Sequence, residues 1–561
     1  MPEVFDNVIV GSGFGGAPVA LRLAEHERGG SVLLLERGRR YGPGDFARSP
    51  AALSQNFWDP EHRLYGMFHP WSFHDISAVT ASGLGGGSLI YANVMIRKPA
   101  GWFQDHDGRP WPITRAELDP HYDVAEQMLG ATPYPFAQAP YANTPKTKAL
   151  QAASRALVDD GVGGLDWELP NLAVSFTPGG GEPGRPLGAP GDNLHDRQRY
   201  TCRLCGECDI GCNFGAKNTL DFNYLSAAER AGATIRCLAD VQHIVAEDDG
   251  YRVIYDEHHP GAGGPPTRHE VRAGRVVVAA GAIGSTRLLM RARAAGGLRN
   301  LSDTALGTRF SGNGDFLAFA LNTKGKIDPS HGPVITSTLR VAPADEGGPE
   351  GSRGFYIQEA GWPELANWLV QTSPLGGIAS RAVHFVWDEL RRRLSHDADT
   401  DSSQEISRLI GNGRLADTSL GFLAMGRDTP DGRFTLSERG HLDLDWTWET
   451  SRDYLDGVED VLRQLAKKLG AGYTSSPTYR FGHRLITVHS LGGCPMGTSA
   501  HDGVVDAYGR AFGHPGLYVC DGAALPGPVG PNPSLTIAAF AERCARQILL
   551  DAGADPPGTL P

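Results

Sequence analysis

The run Asp6-Asn7-Val8-Ile9-Val10-Gly11-Ser12-Gly13-Phe14-Gly15-Gly16, together with the two segments behind it, decides the fold. Residues 6–11 are a short apolar run of strand length, residues 17–27 hold Leu21 and Leu23 among apolar positions at helical spacing, and residues 31–36 form a second apolar run. Strand, glycine turn, helix and strand predict a βαβ unit. Glycine lets the backbone of the turn approach a pyrophosphate, whose charge meets the N–H groups at the start of the helix. Glu36 stands twenty residues past Gly16, where an acidic side chain accepts hydrogen bonds from a ribose. Gly11, Gly13, Phe14, Gly16 and Glu36 are therefore expected to hold a dinucleotide with an unphosphorylated ribose. FAD and NAD both satisfy this reading.

Working outward, a second glycine-dense stretch, Gly85-Gly86-Gly87-Ser88 and on to Asn93, calls for a ligand close to the backbone. Residues 274–280 read as a strand returning to the same sheet, ending in Gly281-Ala282-Ile283-Gly284-Ser285, with a helix from about Thr286. Residues 316–480 are richer in Trp and hold strand-like runs at 355–359 and 442–446, which implies a second lobe. The tail regains α/β texture, with a strand at 517–520, then Asp521-Gly522, then a helix over 534–550. Gly/Pro-dense residues 171–192 and 258–266 read as surface loops rather than linkers. The expected organisation is a first domain over 1–315, a substrate lobe over 316–480, and a return to the first domain over 481–561.

Four cysteines fall within eleven residues, Cys202-Arg-Leu-Cys205-Gly-Glu-Cys208-Asp-Ile-Gly-Cys212, in a loop spanning about 198–216. The C-x2-C-x2-C-x3-C spacing is that of bacterial ferredoxins and predicts a [4Fe–4S] cluster as an electron exit. Zinc usually takes its cysteines as two pairs separated by a longer loop, and an unmetallated loop is the third reading. Asn213 stands where ferredoxins carry proline, and with no second cluster motif all four cysteines must serve one site. Cys237, Cys494, Cys520 and Cys544 lie in apolar surroundings and read as buried bystanders.

The chain has 561 residues, more than one hydrophobic core usually supports, and its 73 glycines are nearly twice the average share. A net charge of −12 argues against nucleic acid or an anionic membrane surface as an obligate partner. No apolar window approaches the roughly 18 residues of a spanning helix, and the start lacks a basic, cleavable leader. The expected location is the cytoplasm, where clustered cysteines are ligands more often than disulfides.

The opening fingerprint, Gly85-Gly86-Gly87-Ser88, Gly281 to Ser285, His489-Ser-Leu-Gly-Gly-Cys-Pro-Met-Gly497 and Asn532-Pro533 together resemble the glucose–methanol–choline (GMC) oxidoreductases, in their cholesterol-oxidase-like branch. Residues 216–225 and 306–315 resemble that branch too, so the likeness covers nearly the whole chain. It implies FAD as the cofactor and an α/β fold, a Rossmann-type FAD-binding domain with a second α+β substrate lobe. It further implies Gly85, Gly86, Gly87, Ser88, Asn93, Gly281, Asp521 and Gly522 around the flavin nucleotide. His489 becomes the base or hydrogen-bond partner of an alcohol and Asn532 a neutral group that orients its oxygen, chemistry that alcohol oxidation requires in any case. Glu359 falls in the region where steroid-oxidising relatives place a catalytic carboxylate.

The expected activity is FAD-dependent oxidation of a secondary or bulky hydrophobic alcohol, sterol-like in kind, to a carbonyl. Its electrons are expected to leave through the cluster to a quinone or redox-protein acceptor. The alternatives are an oxygen-dependent oxidase with an inert cysteine loop, and a flavin/iron–sulfur electron-transfer subunit.

Overall fold

The computed structural model describes residues 2–48, 55–105, 108–261, 264–362 and 417–554. Residues 363–416 of the expected substrate lobe lie outside the described residues.

The N-terminal reading holds. Strand Glu3–Val10 runs into the glycine turn, helix Gly16–Ala24 follows, and strand Val32–Leu35 pairs parallel with the first strand. Thr234–Arg236 extends the sheet on the far side of Val32–Leu35, and Thr267–Val278 lies parallel to Glu3–Val10 on the other side. Leu517–Val519 joins Val276–Val278 in parallel, so the tail returns to this seven-stranded, Rossmann-like sheet. Val8, Ile9, Leu33, Leu34, Val276 and Val277 are fully buried, as strands covered on both faces must be.

Strand Thr267–Val278 begins seven residues before the expected 274, because its first half pairs antiparallel with Gly250–Glu257 and is half-exposed. Helix Ala282–Ala294 starts four residues before the expected Thr286, at a Gly281 with φ +79°. Its turn is fixed from far away, since the Gly281 N–H donates to Asp521 Oδ2 at 2.7 Å.

A second sheet, antiparallel throughout, has six strands in the order Gly472–Ser475, Phe316–Leu321, Leu420–Gly426, Arg353–Ala360, Thr338–Pro343 and Leu165–Glu168. Its last strand comes from outside residues 316–480. Helix Arg452–Lys468 turns Tyr454, Leu455, Val458, Val461, Leu462 and Leu465 inward, an i, i+1, i+4, i+7, i+8, i+11 stripe that closes one face of the sheet. Leu442–Asp445 pairs only with Arg433–Leu436 in a separate ribbon.

The two ends of the chain meet. Helix Ser534–Asp551 packs on helix Gly16–Ala24, and buried Glu542 accepts from Arg22 Nε at 2.8 Å, Arg22 Nη2 at 3.0 Å and Tyr224 OH at 2.8 Å. Among the described residues no helix is long and apolar enough to cross a membrane.

Candidate active site

The glycine turn is built for close approach. A Cβ on Gly16 would collide with the Gly11 carbonyl oxygen, and one on Gly86 would stand 2.6 Å from Gly13 Cα, so the two glycine loops touch backbone to backbone. Ser12 and Glu36 lock them together. Glu36 Oε2 accepts from Ser12 N and Oγ at 3.1 and 2.6 Å, its Oε1 accepts from Gly38 N and Gly83 N at 2.8 and 3.2 Å, and Gly85 N donates to Ser12 Oγ at 3.0 Å. These four donors already fill the lone pairs of the carboxylate expected to meet a ribose. Phe14 is buried edge-on against Tyr91, and Ser88 Oγ donates to Gly85 O while accepting from Leu220 N.

Asp521 does similar work on the opposite segment. Its Oδ2 accepts from Gly281 N and Ser285 Oγ, and its Oδ1 from Ala523 N at 2.9 Å, so one carboxylate ties the turn before helix Ala282–Ala294 to the Gly522 turn. Burial raises its carboxyl above the ordinary range, and these donors oppose the rise. The His489 segment runs along the same turn, with Gly492 N, Cys494 N and Met496 N donating to the carbonyls of Gly522, Ala523 and Ala524.

His489 is paired. Its Nδ1 lies 2.7 Å from Asp315 Oδ1, while Asp315 Oδ2 accepts from Thr487 Oγ1 at 2.9 Å and Val488 N at 3.0 Å. A carboxylate can only accept, so the Nδ1 proton is fixed and Nε2 is left as the basic nitrogen. Asp315 ends a loop, Ser311–Asp315, whose Asn313 donates from Nδ2 to the carbonyls of Gly530 and Pro531 and accepts from Gly530 N at 2.9 Å. One loop thus holds His489 on one side and the approach to Asn532 on the other. Lys98, fully buried, adds a second anchor by donating to the carbonyls of Pro528 and Val529.

Asn532 is nearly buried, and its Oδ1 accepts from Gln358 Nε2 at 2.7 Å. Gln358 lies on strand Arg353–Ala360, directly opposite Leu423, with Tyr356 two residues along opposite Met425. The sheet face turned to Asn532 carries Leu423, Tyr356 and Met425, the last two packed with Trp102, and on the neighbouring strand Thr338 and Arg340.

Glu359, next along the strand, faces the other way. Its carboxylate is completely buried and accepts from Thr336 N and Oγ1 and from Ser337 N and Oγ, with Lys146 Nζ 3.5 Å away. The structure does not bring it to His489 and Asn532; it brings Gln358 instead. Asp315, Gln358 and Asn313 were not singled out from the sequence, since each meets its partner across more than 170 residues.

Profiles described as GMC oxidoreductase match residues 182–306 and 428–541. Over 558 residues the chain is 31% identical to a cholesterol oxidase of Mycobacterium tuberculosis, covering 97% of this chain and 91% of that protein. The chain belongs to the GMC oxidoreductase family. A cholesterol oxidase of Acinetobacter baumannii is 29% identical, with 97% and 94% covered, and paromamine 6'-oxidase of Streptomyces fradiae is 27% identical, with 98% and 92% covered. The solved structure of pyridoxine 4-oxidase from Mesorbium loti shares the fold, with a TM-score of 0.58 at 17% identity, covering 97% of this chain and 98% of that one.

GMC oxidoreductases bind FAD and oxidise alcohols, and the residues present here fit the cofactor. Asn93 is completely buried at φ +71°, and its carboxamide makes no geometrically sound hydrogen bond, although it lies against the Cys208 sulfur. A Cβ placed on Gly87 or Gly281 would meet no atom within 4 Å. An orphaned buried amide beside a glycine cradle facing open space is what a bound flavin nucleotide would complete.

The cysteines expected to ligate metal are all free thiols, and Cys202, Cys205, Cys208 and Cys212 line one small cavity. Among the described residues no group of three or more His, Cys, Asp or Glu side chains is drawn together to hold a metal ion. Cys494, Cys520 and Cys544 are buried, as expected, and Cys237 is half-buried.

Proposed function

We propose that this GMC oxidoreductase oxidises a bulky, hydrophobic secondary alcohol, sterol-like in its apolar bulk, to the carbonyl. The observation that carries the reading is the double pairing His489–Asp315 and Asn532–Gln358, each at 2.7 Å, along a cofactor cradle. Bound FAD supplies the hydride acceptor. Asp315 holds the imidazole so that Nε2 takes the hydroxyl proton. Gln358 occupies the Asn532 oxygen, so the Asn532 amide N–H groups remain to donate to the substrate oxygen as its proton leaves. The apolar side chains of Tyr356, Leu423 and Met425 beside Gln358 support a hydrophobic substrate, as do relatives named cholesterol oxidase.

The test is anaerobic mixing of the flavin-loaded protein with alcohols from short primary ones to sterols. Flavin bleaching by the bulky secondary alcohols is expected, slowed about 100-fold or more in His489→Ala with FAD retained, the lower range for a lost acid–base group. Failure of every alcohol to bleach the flavin would overturn the proposal.

In the same reading the electrons leave through an iron–sulfur site at Cys202, Cys205, Cys208 and Cys212 to a quinone or redox protein. A second reading, an oxygen-using oxidase with an inert cysteine loop, is favoured by relatives named as oxidases. It requires hydrogen peroxide in step with carbonyl product, and turnover that survives Cys202→Ser.

A further inference from the structure

The four-cysteine segment folds around its own cavity, whose charged lining residues are Arg203, Glu207 and Lys217. Lys217 is fully buried at its edge, with Nζ donating to the carbonyls of Leu89 at 2.9 Å and Cys208 at 2.6 Å and lying 4.7 Å from the Tyr91 ring. Both of its acceptors are neutral. The titratable side chains that face it are Cys208, Cys212, Asp209 and Asp221. Lys146, completely buried, meets Glu359 and also faces Cys208 and Cys202, and half-buried Arg199 faces Asp221 and Cys212. Glu359 already balances Lys146, whereas Lys217 donates to neutral carbonyls, and a buried ammonium is costly without countercharge.

The backbone points the same way. Leu204, a non-glycine residue, is held at φ +61° and donates its N–H to Cys202 Sγ at 3.4 Å. The N–H groups of Glu207 and Val334 point at the sulfurs of Cys205 and Cys208. The left-handed conformation, unfavourable for leucine, here aims a donor at sulfur, as peptide N–H groups do around metal-bound thiolates.

A single zinc ion would gather its thiolates at about 2.3 Å from one centre, and no such gathering exists among the described residues. The four cysteines instead line one small cavity together. We propose that this cavity seats an iron–sulfur cluster ligated by Cys202, Cys205, Cys208 and Cys212, with Lys217 as the buried cation on its wall. The site abuts the cofactor loop, because Lys217 bridges Cys208 to Leu89 and Asn93 lies against Cys208. Its role as electron exit rests on the alcohol-oxidising function proposed above. Each alcohol oxidised then sends two electrons singly through the cluster, and these with two protons convert one quinone to its hydroquinone.

The full chain, purified without oxygen, should carry about four irons and four acid-labile sulfides, with an EPR signal that appears on reduction. Cys208→Ser should lose that signal and most of the iron while keeping its FAD content, so that a folding defect is told apart. Absence of iron even after reconstitution with iron and sulfide, or one zinc per chain held by these cysteines, would overturn the cluster. The same samples mixed with alcohol separate the two proposals. Flavin bleaching without iron removes only the cluster, and a cluster in protein whose flavin no alcohol bleaches removes only the proposed function.

Discussion

Replacing Asp315 with Asn tests whether the histidine works as an oriented base. The change is nearly isosteric, but it removes the charge that holds His489 Nδ1 at 2.7 Å and offers an amide that can donate as well as accept. A hydrogen bond to a charged group is worth roughly 1.5–3 kcal/mol. With tenfold in rate per 1.36 kcal/mol, the variant should reduce its flavin about 10- to 150-fold more slowly. Apparent substrate affinity should change little, because Asp315 acts on the base and not on the ground-state alcohol. The assay is anaerobic stopped-flow flavin bleaching for the wild type, Asp315→Asn, His489→Ala and the double variant, each checked for FAD content and melting temperature. Since Asp315 acts through His489, adding Asp315→Asn to His489→Ala should cost almost nothing further. Multiplying losses, or a single variant within twofold of the wild type, would refute the reasoning.

Gln358→Leu should slow flavin reduction about 5- to 10-fold, corresponding to about 1 kcal/mol for a lost neutral hydrogen bond. Gln358→Glu should be at least as slow despite its shape, because a carboxylate can only accept and would turn the Asn532 amide toward itself; a rate equal to the wild type would exclude that orientation role. Glu359→Gln should leave the rate per bound FAD unchanged while lowering stability by about 3 kcal/mol in urea titrations, since it unpairs Lys146 inside the protein, and a large loss of rate at unchanged stability would restore Glu359 as a catalytic group. Asp428, buried beneath the Asp315 loop, has its carboxyl pushed by burial up to about 7 from 3.8. The stability it contributes is complete below about pH 4 and is lost as pH rises through 7, about 4 kcal/mol in all. Urea midpoints of Asp428→Asn should therefore fall less steeply between pH 4 and 7 than those of the wild type, and identical slopes would contradict the shift.

The nucleotide-binding half was legible because its signals are local. A glycine turn between an apolar run and a helical run needs only neighbours in sequence, and Glu36 lies within the same βαβ unit. His489 and Asn532 were legible through a motif resemblance. Their partners were not, because Asp315 and Gln358 reach them across 174 residues each and carry no periodic mark. The choice between Gln358 and Glu359 shows the limit most clearly. Successive residues of a strand face opposite sides, so an uncertainty of one position in register reverses which side chain meets the site. The strand Leu165–Glu168 was invisible as part of the second sheet because its four residues gain their place only by pairing with Thr338–Val341.

The meeting of helix Gly16–Ala24 with helix Ser534–Asp551 sets an order of assembly. The first helix emerges from the ribosome more than five hundred residues before Glu542 is available to Arg22, and the central sheet lacks Leu517–Val519 until nearly the same moment. Such distant closure makes folding slow and leaves the side of the first helix that meets the last one uncovered until late in synthesis. His489 and Asn532 arrive in that same late stretch, as does the Asp521 that fixes the Gly281 turn, so both halves of the candidate site are assembled only as helix Ser534–Asp551 meets the first helix.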